Sequence, residues 1–295
     1  MRSSLSRLSG SIGVGRLGPR IFAGRLCTTS SHPTVQLVAS TSGQPLESVP
    51  CRNIYCVRAF VPLRRVLSDA SCPTRPFRRM LPNRNDDALA WQVGRNYAAH
   101  ARELNNPVPK EEPVIFLKSA GALRGLESGN LAFASEVFHH EIELVVLVGS
   151  HVPLGGLEVG AELDCLKAVG LGLDLTRRGK QSELKAKGLP WAVAKSFAGS
   201  ALLSPMSTLD GSFDLNSVSF ELSVNGTSRQ RGHVNQMIFD VPFLLRYLNA
   251  SHPLLPGDLV FTGTPEGVGE LQRGDEFTME YHTGPPAGGP FHGVL

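Results

Sequence analysis

Runs of consecutive apolar residues, each closed by a glycine or a turn, recur along the second half of the chain. The longest occupy residues 144–148 and 168–173, and both are rich in Val, Leu or Gly. Such runs are typical of strands that are buried on both faces. Shorter extended runs predict further strands at residues 53–57, 114–118, 189–197, 219–224, 257–265 and 274–282.

Helical patterns are few and short. They cover residues 98–104, 177–188 and 242–248, and Pro107 limits the first of them. Many short strands with few helices predict a β-rich α+β domain over residues 93–284, with residues 47–57 supplying its first strand. Residues 285–295 are rich in Gly and Pro, so we expect an irregular tail there.

The amino-terminal third of the chain has a different composition. Residues 1–46 contain five arginines and no acidic residue, which is typical of a mitochondrial transit peptide. A disordered tail with no targeting role is the alternative. Residues 58–92 show no sustained hydrophobic period, and we expect a largely disordered insertion there. A transit peptide predicts the mitochondrial matrix as the location, with the cytosol as the alternative.

Composition excludes several classes of protein. The formal net charge is +3, but the excess of arginine precedes residue 94 and the rest of the chain is mildly acidic, so we expect no nucleic-acid partner. No apolar run is long enough to span a bilayer, so we expect no membrane partner. The five cysteines form no CxxC pair, which argues against a disulfide framework or a zinc site.

Three acidic residues fall within the predicted buried strands. Glu141 and Glu143 are two residues apart on one strand, so their side chains point to the same face. Asp174 lies at the end of the glycine-spaced strand. Buried carboxylates need a positive partner, and hard oxygen donors suit Mg²⁺ or Mn²⁺. The alternative is a surface strand with two solvated glutamates. His139 and His140 are left outside the predicted ligand set, because a histidine beside carboxylate ligands often only orients them.

Other residues carry candidate chemistry with a simpler alternative beside it. Lys195, in an apolar context, either reaches solvent or stabilises negative charge in a site. His100 and Glu103 share one helical face, as a surface pair or as a general base with its orienting carboxylate. The glycine-rich turn at residues 263–269 either presents backbone amides to an anion or is a tight β-turn.

Taken in order, the motifs resemble those of the fumarylacetoacetate hydrolase family from residue 93 to about residue 280. Each motif is weak alone, and the ordered set is specific. The matching motifs are Gly94-Arg95-Asn96-Tyr97, His139-His140-Glu141-Ile142-Glu143, Leu173-Asp174-Leu175-Thr176, Gly188-Leu189-Pro190-Trp191, Lys195-Ser196-Phe197, Met237-Ile238-Phe239 and Thr262-Gly263-Thr264-Pro265-Glu266-Gly267-Val268-Gly269.

The resemblance implies a mixed β-sandwich roll, a homodimer and small 2-oxo acid substrates. It implies metal-dependent C–C bond hydrolysis of acylpyruvates to a carboxylate and pyruvate, together with decarboxylation of oxaloacetate. Keto–enol tautomerisation of oxaloacetate on the same site is the alternative. The resemblance places the metal ligands at Glu141, Glu143 and Asp174, the catalytic groups at His100, Glu103 and Lys195, and the substrate contacts at Arg178, Gln181 and Thr264.

The chain departs from the family between residues 57 and 92. In the family the strand that resembles residues 53–56 runs directly into the motif that begins at Val93. Codons for Val57 begin with GT and Gln92 can be encoded by CAG, which are the ends of an intron. We therefore hypothesise that this block is a retained intron. If it is translated, a catalytically silent isoform is a further alternative.

Overall fold

The computed structural model describes residues 88–126, 136–209, 213–285 and 288–295. Within these residues the chain forms fourteen strands and four short α-helices. The strands are β1 (Ala90–Gly94), β2 (Val114–Lys118), β3 (Leu123–Gly125), β4 (Phe138–His140), β5 (Ile142–Val148), β6 (Leu166–Asp174), β7 (Ala201–Leu203), β8 (Ser207–Thr208), β9 (Ser219–Val224), β10 (Thr227–His233), β11 (Leu259–Phe261), β12 (Gly269–Leu271), β13 (Glu276–Thr283) and β14 (Phe291–Val294). The helices are α1 (Ala98–Glu103), α2 (Arg178–Ala186), α3 (Ala192–Lys195) and α4 (Val241–Asn249). The predicted β-rich α+β class is confirmed.

The largest sheet has eight strands. Seven follow the order β2-β1-β11-β5-β6-β7-β3, and β8 pairs with β6. At its centre β5 and β6 are antiparallel, with Glu143 opposite Gly172. A Cβ atom at Gly172 would lie 2.5 Å from the Phe261 ring and 2.8 Å from the Leu202 carbonyl oxygen. Glycine at this position therefore lets β6 approach its neighbours closely.

Two smaller sheets complete the fold. One has the order β10-β9-β13-β14, and the other pairs β12 with β4. Strand β5 is buried along its whole length because its two faces pack into different apolar clusters. Leu144 joins a large cluster that includes Phe220 of β9, whereas Val145 joins a smaller one that includes Phe261. Glu143 and Glu141 continue the row of Val145, which brings both carboxylates to one side of the sheet.

The three predicted helices at residues 98–104, 177–188 and 242–248 are confirmed as α1, α2 and α4 to within one or two residues at each end. The expectation of an extended segment over residues 189–197 is wrong, because α3 forms there. Its single turn follows from backbone bonds such as that from the Lys195 N–H to the Trp191 carbonyl. None of the described helices is long and apolar enough to span a bilayer.

Two predicted boundaries require correction. The domain was expected to begin at residue 93, but residues 90–92 belong to β1, which pairs in parallel with β11 and antiparallel with β2. The tail over residues 285–295 was expected to be irregular, but residues 291–294 form β14 against β13. In both places backbone pairing with a preformed strand outweighs a weak local pattern. The predicted transit peptide, the strand at residues 47–57 and residues 58–87 of the predicted insertion lie outside the described residues.

Candidate metal centre

Strands β5 and β6 bring together the three carboxylates that the sequence predicted as ligands. The Asp174 amide donates to the Glu141 carbonyl over 2.9 Å, so the two strands are in register at this point. Each of Glu141, Glu143 and Asp174 is almost completely buried, with exposed fractions of 5%, 2% and 1%. One oxygen from each lies within 4.8 Å of the others. The cluster therefore has the spacing and chemistry that a divalent cation requires.

Cationic side chains neutralise two of the three carboxylates. The Lys195 ammonium lies 2.6 Å from Oε2 of Glu141 and 2.6 Å from Oδ2 of Asp174. The Lys118 ammonium lies 2.7 Å from Oδ1 of Asp174, and the Arg178 guanidinium donates to Oε1 of Glu141. Both oxygens of Glu141 and Asp174 are thus paired with charge.

Glu143 is in a different position. Its Oε2 accepts a hydrogen bond from the Gly263 amide over 2.7 Å, and no cation among the described side chains forms a salt bridge with it. Burial, followed by the charges of Asp174 and Glu141, raises the pKa of Glu143 well above its usual range. For Glu141, burial opposes ionisation, but Lys195 and Arg178 hold its pKa well below the usual range.

This asymmetry fits a divalent metal ion. A buried carboxylate without a cation is costly in its charged form, and a bound cation removes that cost. The three carboxylates offer only oxygen donors, which favours a hard cation over one that prefers thiolate or imidazole ligands. The residues present therefore fit the group that the resemblance implies.

Helix α1 carries the predicted dyad to the edge of the same site. His100 Nδ1 lies 3.5 Å from Glu103 Oε2, and the Glu103 carboxylate accepts a hydrogen bond from the Gly267 amide over 3.1 Å. Burial lowers the pKa of His100, and the positive charge of Arg178 also acts to lower it. The imidazole is therefore neutral near pH 7 and available as a proton acceptor.

The three residues that the resemblance assigned to substrate binding line the pocket in which the three carboxylates lie. Arg178 and Gln181 share one turn of α2, and the guanidinium donates to the Gln181 side-chain oxygen over 2.6 Å. Thr264 follows the Gly263 turn, and its Oγ1 accepts a hydrogen bond from Gln230 over 2.8 Å. All three side chains therefore already have protein partners.

Two buried residues that organise the site were not predicted from the sequence. Lys118 is the last residue of β2, and its ammonium contacts Ser200 and Asp174. Because it adjoins an apolar run, as Lys195 does, the same sequence signal of a buried lysine was present at both positions. Burial lowers the pKa of Lys118 to about 8. Gln230 accepts from the Ile142 amide, pairs with His140 over 2.8 Å and donates to Pro265 over 3.0 Å. Its polar strand 227–233 gave no signal of burial.

The three carboxylates line a pocket that is partly open to solvent. Its walls combine charged groups with two aromatic rings, and the lining side chains other than the carboxylates are those of Val93, Arg95, His100, Leu104, Asn106, Phe116, Arg178, Gln181, Lys185, Trp191, Lys195 and Thr264.

The sequence and the fold are similar to those of known proteins. A family model described as fumarylacetoacetate (FAA) hydrolase C-terminal matches residues 90–288. The chain is 41% identical over 184 residues to a protein of Dictyostelium discoideum named mitochondrial oxaloacetate decarboxylase, across 62% of this chain and 83% of that protein. It is 39% identical over 191 residues to a human protein named mitochondrial oxaloacetate tautomerase FAHD1, across 64% and 85% of the two chains.

A solved structure shares both the fold and the sequence pattern. The fumarylpyruvate hydrolase of Pseudomonas aeruginosa, crystallised with Mn²⁺ and pyruvate, superposes with a TM-score of 0.61 at 35% identity. The match covers 65% of this chain and 84% of that one.

Proposed function

This chain belongs to the fumarylacetoacetate (FAA) hydrolase C-terminal family, and we propose that it is a metal-dependent enzyme acting on small 2-oxo acids with a β-carbonyl or β-carboxylate group. The observation that carries the proposal is the cluster of Glu141, Glu143 and Asp174 in a pocket that His100 also lines. Acylpyruvates and oxaloacetate both have the required chemistry. The names of the relatives support this substrate class.

We propose Mg²⁺ or Mn²⁺ as the resident ion, held by the three carboxylates. When bound, it would supply Lewis-acid stabilisation of the negative charge that develops on the 2-oxo oxygen of the substrate. The Mn²⁺ in the Pseudomonas structure supports the choice of a hard divalent cation.

The surrounding side chains supply proton transfer and charge stabilisation. For an acylpyruvate, neutral His100 takes a proton from the water that attacks the distal carbonyl, and Glu103 orients the imidazole. Lys195, assisted by Gln181, stabilises the oxyanion. Cleavage gives a carboxylate and pyruvate. For oxaloacetate, loss of CO₂ gives the enolate of pyruvate without an attacking water.

Tautomerisation of oxaloacetate is the second candidate. His100 is buried at the pocket, and its lowered pKa suits it to carry a proton between carbon 3 of the keto form and the oxygen of the enol. The human relative is named for this activity. In this reaction no pyruvate forms.

Pyruvate release and enol disappearance separate the candidates. The two substrates are acetylpyruvate and oxaloacetate, each assayed with Mg²⁺, with Mn²⁺ and with chelator. Chelator-sensitive pyruvate release supports hydrolysis or decarboxylation, whereas enol loss without pyruvate supports the tautomerase. Glu143→Gln is the control for metal dependence, because it removes the charge of one proposed ligand while keeping the hydrogen bond from the Gly263 amide. Equal activity with chelator and with metal would contradict the proposal.

We also propose that the protein acts as a homodimer in the mitochondrial matrix. Two relatives named as mitochondrial support the location. Import into isolated mitochondria tests it, and light scattering of the purified protein measures the oligomeric state. A monomer by light scattering would remove the homodimer proposal.

A further inference from the structure

The pocket holds more positive charge than its acidic groups use. Arg178 donates to Glu141 and Gln181 and lies 3.5 Å from His139, so each of its three nitrogens has a partner. Arg95 and Lys185 line the same pocket, and no carboxylate among the described residues forms a salt bridge with either. These two side chains are therefore free to bind an anion.

The two cations also act on each other. Lys185 is half-buried, with its ammonium 5.1 Å from the centre of the Trp191 ring. Burial, followed by the charges of Arg95 and Arg178, lowers the pKa of Lys185 to about 8. Like charges held close together in a partly buried place are costly alone and become favourable when an anion lies between them.

The backbone at Arg95 is held in a costly conformation. Its φ is 59°, in the left-handed region that side chains other than glycine, Asn and Asp rarely adopt. The next residue, Asn96, is fully buried and fixes the turn by donating to the Phe239 and Thr262 carbonyls over 2.9 Å and 2.8 Å. Strain of this kind persists where the surroundings impose it, and it clusters at functional sites. The turn thus fixes the Arg95 backbone beside the pocket that its side chain lines.

We propose that Arg95 and Lys185 form a second anion subsite, which binds the distal carboxylate of a dicarboxylic 2-oxo acid. The inference rests on the proposed function, which places the 2-oxo acid end of the substrate at the buried carboxylates. An arginine beside a lysine can hold a carboxylate by charge-assisted hydrogen bonds. The ring of Trp191 supports the lysine from one side. The subsite makes the enzyme selective for dicarboxylates such as oxaloacetate over acylpyruvates that end in an alkyl group.

Two variants remove the charges without disturbing the fold. Arg95→Asn keeps a residue that tolerates positive φ, and Lys185→Met keeps the length of the side chain. Arg102→Asn and Lys187→Met are the matched controls, because both side chains are exposed and outside the pocket. Lys185→Arg preserves the charge and should keep the substrate selectivity of the wild type.

Oxaloacetate and acetylpyruvate differ at the distal end and share the 2-oxo acid end. Each pocket variant should raise KM for oxaloacetate by about tenfold, the effect of losing one charge-assisted contact. KM for acetylpyruvate should stay within about twofold, and both controls should match the wild type. Equal rises for both substrates, or the same rise in a control, would overturn the subsite.

A binding measurement keeps the subsite separate from the proposed reaction. Difluorooxaloacetate has no proton on carbon 3 and cannot enolise, and pyruvate lacks the distal carboxylate. With Mn²⁺ present, calorimetry should show a tenfold weaker affinity of the variants for the first compound and no change for the second. If the wild type turns over neither substrate but the variants still bind difluorooxaloacetate more weakly than the wild type does, the proposed function fails and the subsite stands. Uniform binding in all variants overturns the subsite even where turnover is present.

Discussion

Gln92 is a buried polar residue whose replacement by methionine should stabilise the protein. Its side chain is fully buried in β1. Among the residues that the structure describes, neither its Nε2 nor its Oε1 has a hydrogen-bond partner. Burying an amide without a partner costs about 1–3 kcal/mol. Methionine has a similar length and volume, so Gln92→Met removes this cost and leaves the packing nearly unchanged.

Gln230 provides the matched control for the same substitution. It is also buried, but its carboxamide pairs with four groups, on His140, Ile142, Thr264 and Pro265. At a net worth of about 1 kcal/mol for each hydrogen bond, Gln230→Met should destabilise the protein by about 4 kcal/mol. The same chemical change is therefore expected to have opposite signs at the two positions.

Urea unfolding measures both effects. With a slope of about 2 kcal/mol per molar urea, a gain of about 2 kcal/mol for Gln92→Met moves the midpoint up by roughly 1 M. The slope itself should not change, because the substitution alters no exposed surface. A lower midpoint for Gln92→Met would show that the carboxamide has partners and that the reasoning from burial is wrong.

Four further predictions concern other parts of the chain. Lys118→Met leaves Oδ1 of Asp174 without its cation, while Lys195 still pairs with Oδ2. The variant should therefore lower the free energy of unfolding by about 1–3 kcal/mol, and added Mn²⁺ should raise Tm more in this variant than in the wild type. His100→Ala should reduce hydrolysis of acetylpyruvate by about 10²- to 10⁴-fold and decarboxylation of oxaloacetate less, and equal losses would indicate a shared proton transfer. Burial opposes ionisation of Glu221, but hydrogen bonds from Ser228, His282 and Arg231 lower its pKa to about 2. The stability that the ionised group contributes above pH 4.5 should therefore be lost as the pH drops toward 2. Glu221→Gln should reduce this loss in acid unfolding curves. Deletion of residues 57–92 should leave a folded enzyme with chelator-sensitive activity, and an inactive or insoluble product would contradict the retained-intron hypothesis.

The sequence predicted the central strands and the carboxylate cluster because both depend on local periodicity. Alternation along β5 is enough to place Glu141 and Glu143 on one face, whichever sheet the strand joins. Asp174 was identified because a charge inside an apolar run requires a partner. These inferences needed no knowledge of distant contacts.

The position of β1 could not be predicted in this way. The place between β2 and β11 requires an extended segment that leads into Val93, and backbone pairing does not depend on side-chain identity. The structure uses Ala90–Gly94 there and places Gln92 in the core at a cost. Which segment occupies a place in a sheet depends on contacts along the whole chain, which a local pattern does not contain.

The glycine-rich turn at residues 263–269 has a role that its sequence predicted only in part. Its amides were expected either to approach an anion or to form a plain turn, and they donate to carboxylates of the protein itself. The Gly263 amide binds Glu143 and the Gly267 amide binds Glu103. Gly263 has a φ of 102°, and a Cβ atom there would lie 2.6 Å from the Cβ atom of Asn96. One turn therefore positions a predicted metal ligand and the partner of the predicted base. Among the described side chains no cation pairs with Glu143, which depends on this amide, so a displaced turn would disturb the predicted metal centre and the His100 dyad together.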